Sequence, residues 1–324
     1  VYRAALGAKN TAYARGWLPS RRLQAPVISI GNLSVGGAGK TPLVIRLAEL
    51  LAGRGFAVDV LSRGYGRFGR GAERVQAGPE HEPGDLSSHT AAARYGDEPL
   101  LIARTSGVPV YVGASRYEAG LAAERDQKQG QVHLLDDGFQ HRQLARSVDI
   151  VVLHRSDFTA GLLPAGRLRE PLSALRRASV AVLRVEDEAF APELRRRFPG
   201  LPVWSMTREI VLESSEGRAV AFCGIAHPEE FFASLTRAGV SLAASLAFRD
   251  HHAYTDADVA ALAGKVAATG EVRLLTTEKD LVRLSAGQRA LLGQSAGLAP
   301  VPLRARLLDE EAALSWLLSV SGLA

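Results

Sequence analysis

The stretch 27-VISIGNLSVGGAGKTPLVIRLAELL-51 joins a short β-branched run to a glycine-rich segment and then to an apolar helical pattern. Val27 to Ile30 reads as a buried strand. Leu43, Leu47, Leu50 and Leu51 fall on one helix face, and Gly53 and Gly55 end the pattern. Pro42 suits the first helical turn, where its missing N–H costs nothing. Between strand and helix lie Gly36, Gly37, Ala38, Gly39, Lys40 and Thr41. Such a loop lets backbone N–H groups curl around phosphate oxygens, and the helix N-terminus adds partial positive charge. A lysine there reaches the β- and γ-phosphates, and a following hydroxyl ligates Mg²⁺. Ser34 stands where the motif G-x-x-x-x-G-K-[ST] has its first glycine. The G-K-T and the strand–loop–helix context remain. We therefore expect a nucleotide site built from Ser34, Gly36, Gly37, Ala38, Gly39, Lys40 and Thr41.

Outward from this loop the chain alternates. β-Branched runs recur at 108–112, 131–135, 149–153 and 179–185, with helical patterns between several of them. This order predicts an α/β fold: a P-loop NTPase-like, mostly parallel sheet flanked by helices. A second series starts near residue 219 with AVAFCGI, PEEFFASLTRAG, SLAASLAF, a helix from about 256 and VRLLTT. Thr255 and Asp258 have capping-box spacing before that helix. We expect a P-loop domain over 1–214 and a smaller α/β domain over 215–324, with TREIVLESSEGR as connector and the last helix able to pack back on the first domain.

The 324 residues are 47% hydrophobic and 23% charged, as in a globular protein. No apolar run reaches the roughly 18 residues of a membrane span, and no secretory signal is visible. A single cysteine, Cys223, excludes an internal disulfide and fits a reducing compartment. The net charge of +5 suits anionic partners. Nucleic acid is not expected, because aromatics are 6% and no module interleaves them with basic residues. Tyr2, Leu6, Tyr13 and Trp17 fit one helix face beside Arg3, Lys9, Arg15, Arg21 and Arg22. That pattern suits either an anionic bilayer surface or a helix packed on its own domain.

GYGRFG at 64–69 matches a dinucleotide fingerprint, but the loop-like RGAERVQAGPEHEPG follows it instead of a helix, so we discount it. Asp136 and Asp137 end the apolar run at 131–135. There they read as Mg²⁺-holding acids or as an acidic turn. Asp97 and Glu98 follow Gly96, where Asp97 is a base for a substrate hydroxyl or an ordinary turn residue. Asp250, His251 and His252 lie between a strand and a helix. Adjacent histidines point in different directions, so zinc is not expected, and one histidine sharing a proton with a carboxylate is. Arg167, Arg169, Arg176 and Arg177 suit phosphate contacts or a solvated helix face.

GNLSVGGAGKTP, SRGYGR, GDEP, LLDDGFQH, LLPAGRLREP, DHHAY and TTEKD occur in an order that resembles the tetraacyldisaccharide 4′-kinases, from about Asn10 to Asp280. In that family a Ser or Thr commonly takes the position of Ser34. The resemblance implies an ATP- and Mg²⁺-dependent kinase acting on the 4′-hydroxyl of a tetraacylated glucosamine disaccharide 1-phosphate. It implies two α/β domains with the site in the cleft between them, at the cytoplasmic face of the bacterial inner membrane. It implies Lys40 and Thr41 at the nucleotide and metal, Asp136 and Asp137 as the metal acids, Asp97 as base and His251 as its partner. Asn32, Gln140 and Arg169 are expected to support the substrate. We expect peripheral contact with anionic membrane and no protein partner for catalysis. The alternative from another class is a P-loop NTPase that switches, or inserts metal into, a protein partner.

Overall fold

The computed structural model describes residues 2–37, 39–69, 71–78, 91–126, 130–214 and 217–323. Its first eight strands are Val27–Asn32 (β1), Ala57–Ser62 (β2), Glu73–Arg74 (β3), Val110–Val112 (β4), Gln131–Asp136 (β5), Val148–Leu153 (β6), Val180–Arg184 (β7) and Val203–Ile210 (β8). Arg218–Cys223 (β9), Ser241–Ala247 (β10), Arg273–Thr277 (β11) and Gly297–Val301 (β12) form a separate sheet in the order β10-β9-β11-β12, parallel throughout. Leu303–Leu307 (β13) then returns to the first sheet, whose order is β13-β8-β7-β6-β1-β5-β2-β4-β3.

In the nine-stranded sheet only β3–β4 and β8–β13 pair antiparallel. β1 sits at its centre between β5 and β6, and all six of its residues are buried. That is the pattern of a strand covered on both faces. On one face the helix Lys40–Gly53 and the last helix, Glu310–Ser321, contribute Leu43, Val44, Leu47, Leu314 and Leu317. These join Ile28 and Ile30 of β1 and Val148, Ile150 and Val152 of β6 in one core. On the opposite face Leu33, Phe139, Val151, Leu168 and Leu183 pack together. The switch in strand order beside β1 puts the carboxyl ends of β1 and β5 at a crevice, where open α/β sheets bind ligands.

Two local expectations change. The segment 207–218 is not a connector throughout, because its first four residues complete β8. There Ile210 faces Leu303 and Met206 faces Leu307. Its polar composition hid a partly exposed strand whose partner comes from the far end of the chain. Trp17 does not share a helix face with Tyr2, Leu6 and Tyr13. The helix Tyr2–Ala14 ends first, at a left-handed Gly16 (φ 71°), and Trp17 lies exposed beyond it. The capping box of Thr255 and Asp258 forms as expected at the helix Asp256–Thr269.

Gly31 fits the end of β1 because the turn after β5 crosses it closely. A Cβ there would lie 2.5 Å from Phe139 Cβ and 2.7 Å from its backbone nitrogen. Gly31→Ala should therefore force β1 and this turn apart, at a cost of about 1–3 kcal/mol. The expected result is a lower urea or thermal midpoint; an unchanged midpoint would contradict the close approach.

Candidate active site

The loop after β1 is strand-like before it turns. Ser34 forms a bridge with Leu168, the Val35 N–H donates to Arg167 O at 2.8 Å, and the Arg169 N–H donates to Leu33 O at 2.7 Å. The left-handed backbone falls at Gly36 (φ 104°) and Gly39 (φ 87°), not at Ser34. A side chain is therefore tolerated at position 34. Gly39 caps the helix Lys40–Gly53 without any side-chain acceptor, so the first helical N–H groups are available to an anion. Ala38 lies outside the described residues.

Lys40 Nζ stands 3.0 Å from Asn32 Oδ1 and 3.2 Å from Asp137 Oδ1. Asn32 is fully buried and donates to Ser34 O at 2.8 Å, while Gln140 Nε2 donates to Asn32 O at 2.9 Å. Asn32 and Gln140 thus tie the loop to the turn after β5. Arg169 Nη1 donates to Asp137 Oδ2 at 2.7 Å. Arg177, by contrast, is held by Glu170 and stacks over Phe139, which makes it part of the framework.

Asp136 is buried and, among the described residues, accepts one hydroxyl, Ser62 Oγ at 3.0 Å. Burial, then the charges of Glu98 and Asp137, push its carboxyl up to about 7. Burial acts the same way on Asp137, but Lys40 and Arg169 outweigh it and hold that carboxyl below its usual range. A buried carboxylate with a single hydroxyl donor, next to other acids, is one that a divalent cation would stabilise. Asp136, Asp137 and the Thr41 hydroxyl are hard oxygen donors of the kind Mg²⁺ takes.

Gly96 (φ 93°) leads into the helix Asp97–Ser106, which places Asp97 and Glu98 in its first turn. Groups from the second sheet and its loops meet them there. His251 Nδ1 is 2.9 Å from Asp97 Oδ2, Arg283 Nε donates to the same oxygen at 2.9 Å, and Arg283 Nη2 contacts it as well. Lys279 Nζ is 2.6 Å from Glu98 Oε1. Burial would raise the Asp97 carboxyl, but the His251 hydrogen bond and the charges of Arg283 and Lys279 hold it far below the usual carboxylate range. The bond to Asp97 raises His251 in turn. His252 turns away to Asp258, 3.0 Å from Nε2, so the two histidines do diverge.

Asp137 (φ 50°) and His251 (φ 56°) are the only non-glycine residues with positive φ among those described. Left-handed backbone at such residues is uncommon, and backbone strain concentrates at functional sites. Both residues line a cleft of about 1060 Å³ that also takes in Lys40, Thr41, Glu98 and Asp136. Asp97 does not line it; this carboxylate sits behind His251, whose side chain is 44% exposed.

Sequence reasoning gives no role to Arg283, Lys279, Arg116 or His141. Arg116 and His141 line the same cleft with Lys9 and Arg63. Burial and neighbouring arginines, with Lys9 beside His141, lower His141 to about 4, and burial with Arg63 lowers Arg116 to about 10. The wall they form favours an anionic ligand. The sequence signal for Arg283 is faint: an arginine three residues after the Asp of TTEKD, on a helix of six residues.

The family model described as Tetraacyldisaccharide-1-P 4'-kinase matches residues 1–321. A tetraacyldisaccharide 4'-kinase of Koribacter versatilis is 40% identical over 99% of this chain and 96% of its own length. One of Geobacter sulfurreducens is 38% identical over 95% of this chain and 90% of its own. A crystal structure of the "apo" form of LpxK from Aquifex aeolicus in complex with ATP matches with a TM-score of 0.75 and 33% identity, over 98% of this chain and 96% of that one. The chain belongs to the tetraacyldisaccharide 4'-kinase family.

Proposed function

We propose that this protein transfers the γ-phosphoryl group of ATP to the 4′-hydroxyl of a tetraacyldisaccharide 1-phosphate, a step of lipid A biosynthesis. One observation carries this: the phosphate loop and His251, which Asp97 holds from behind, line a single cavity. Family membership over nearly the whole chain does not favour the switch NTPase weighed from sequence.

Phosphoryl transfer is mainly positioning and charge stabilisation. The N–H groups of the loop and Lys40 hold the β- and γ-phosphates. Thr41, Asp136 and Asp137 would hold Mg²⁺, which would supply charge neutralisation for the phosphates. Arg169, beside Asp137, faces the transferred group, while Asn32 and Gln140 act from behind by fixing Lys40 and the loop. As the hydroxyl oxygen bonds to the γ-phosphorus, the bond from that phosphorus to the β,γ-bridging oxygen breaks and ADP leaves. His251 Nε2 takes the hydroxyl proton, and Asp97 holds Nδ1–H. This inverts the order implied by resemblance, in which Asp97 is the base. The inversion rests on burial: Asp97 lies behind the ring, and its cationic neighbours make it a weak base.

The two sheets serve as two domains that close over the substrate. The division is 1–214 and 215–324, except that β13 and the last helix complete the first. Tyr2, Leu6 and Lys9 reach the cleft from the N-terminal helix, none of whose residues is buried. No helix among the described residues is long and apolar enough to cross a membrane. The basic N-terminal segment would instead dock peripherally on anionic lipid at the cytoplasmic face of the inner membrane.

Purified protein with γ-labelled ATP, Mg²⁺ and the tetraacyl disaccharide 1-phosphate in micelles should label the lipid. Lys40→Ala should slow transfer by about 10²–10³-fold, as for loss of one preorganised donor. Label found only in free phosphate would overturn the kinase assignment. Deleting residues 1–20 should weaken cosedimentation with vesicles containing anionic phospholipid, and added salt should weaken binding of the full chain. Equal binding of both chains would count against the docking role.

A further inference from the structure

The last motif, TTEKD, builds a short helix, Glu278–Arg283, at the end of β11. Thr277 caps it, accepting from the Asp280 N–H at 3.1 Å. Asp280 is fully buried and takes four donors: the Gly224 N–H at 2.9 Å, Tyr254 OH at 2.8 Å, Thr277 Oγ1 at 2.6 Å and Arg283 Nη1 at 2.9 Å. Arg283 Nη1 also donates to Gly224 O at 2.7 Å, and this same carbonyl accepts the His251 N–H at 3.1 Å. One side of the guanidinium is thus fixed to the second sheet, at the point that holds the left-handed backbone of His251. Its other side, Nε and Nη2, donates to Asp97 Oδ2 of the first half. The remaining Asp97 oxygen accepts the Glu98 N–H at 3.0 Å.

We propose that Arg283 is a positioning residue for phosphoryl transfer: it holds the Asp97 carboxylate against His251 Nδ1 and so aims Nε2 into the cleft. This rests on the kinase function proposed above. Because Asp97 belongs to the first sheet's helices and Arg283 to the second's, the pair is assembled only while the two halves are in contact. Lysine cannot substitute, since a single ammonium does not span Asp280 and Asp97 in one plane.

The charges around the pair give a readout that a purely structural role would not move. Asp97 is faced by Lys279, Arg283 and His251 and by Glu98 on its own helix; His251 is faced by Asp97, Arg283 and Asp250. Arg283 opposes protonation of both members. Without it, each binds a proton more readily, and the acid limb of the kcat/KM profile moves to higher pH.

The test compares wild type, Arg283→Ala and Arg283→Lys in lipid phosphorylation across pH, with ATP affinity measured separately. We expect kcat to fall by about 10²-fold in both variants, in line with loss of one preorganised group. ATP affinity should stay near wild type. In Arg283→Ala the acid limb should rise by about one pH unit or more, and guanidinium ion, but not urea at equal concentration, should restore part of the rate. If Arg283→Ala does not fold, Arg283→Lys decides alone: a folded, fully active variant overturns the proposal. An active Arg283→Ala with an unmoved acid limb, or equal rescue by urea, overturns it too. Absence of lipid phosphorylation in wild type would instead overturn the kinase function itself.

Discussion

The carboxylate of Asp97 is taken out of water at the contact between the two halves of the molecule, and the site depends on how that charge is compensated. An unpaired buried charge costs about 3–5 kcal/mol when its partner is removed. Here compensation comes from the other sheet, through Arg283, Lys279 and His251. The same contact therefore holds the halves together and orients the imidazole that meets the cleft. Arg283 is held in turn by Asp280, itself saturated by four donors.

At the metal acids the compensation is incomplete. Asp136 keeps one hydroxyl donor beside two other acids, and its carboxyl is pushed up to about 7. Asp97, behind the cleft, is thus a carboxylate that its neighbours keep ionised, and Asp136, lining it, is one whose charge calls for a cation. Strain accompanies both, since Asp137 and His251 adopt left-handed backbone. The arrangement matches the division of labour in phosphoryl transfer, with metal and nucleotide on the loop side and proton transfer on the other.

Much of this was legible in the sequence for a local reason. A strand, a glycine turn and a helix are contiguous, so the loop from Ser34 to Thr41 could be read from spacing alone. β1, β5, β6 and β7 were visible because strands buried on both faces are continuous apolar runs. β8 was missed, because it is partly exposed and its partner β13 lies far along the chain. Arg283 was missed for a related reason. Its meaning comes from Asp97, brought to it only by the fold, and an arginine on a six-residue helix looks like a surface residue until that contact exists. The order within the Asp97–His251 pair was also beyond the sequence, because it turns on which side chain is buried.

The central claim is that His251 carries its proton on Nδ1, against an ionised Asp97, and offers Nε2 to the cleft. ¹⁵N NMR of imidazole-labelled protein across pH tests this most directly, with Asp97→Asn as reference. The account predicts an Nδ1–H tautomer for neutral His251 and titration above the ordinary histidine value of about 6.5, falling in Asp97→Asn. An Nε2–H tautomer, or a titration that Asp97→Asn leaves unmoved, would contradict it.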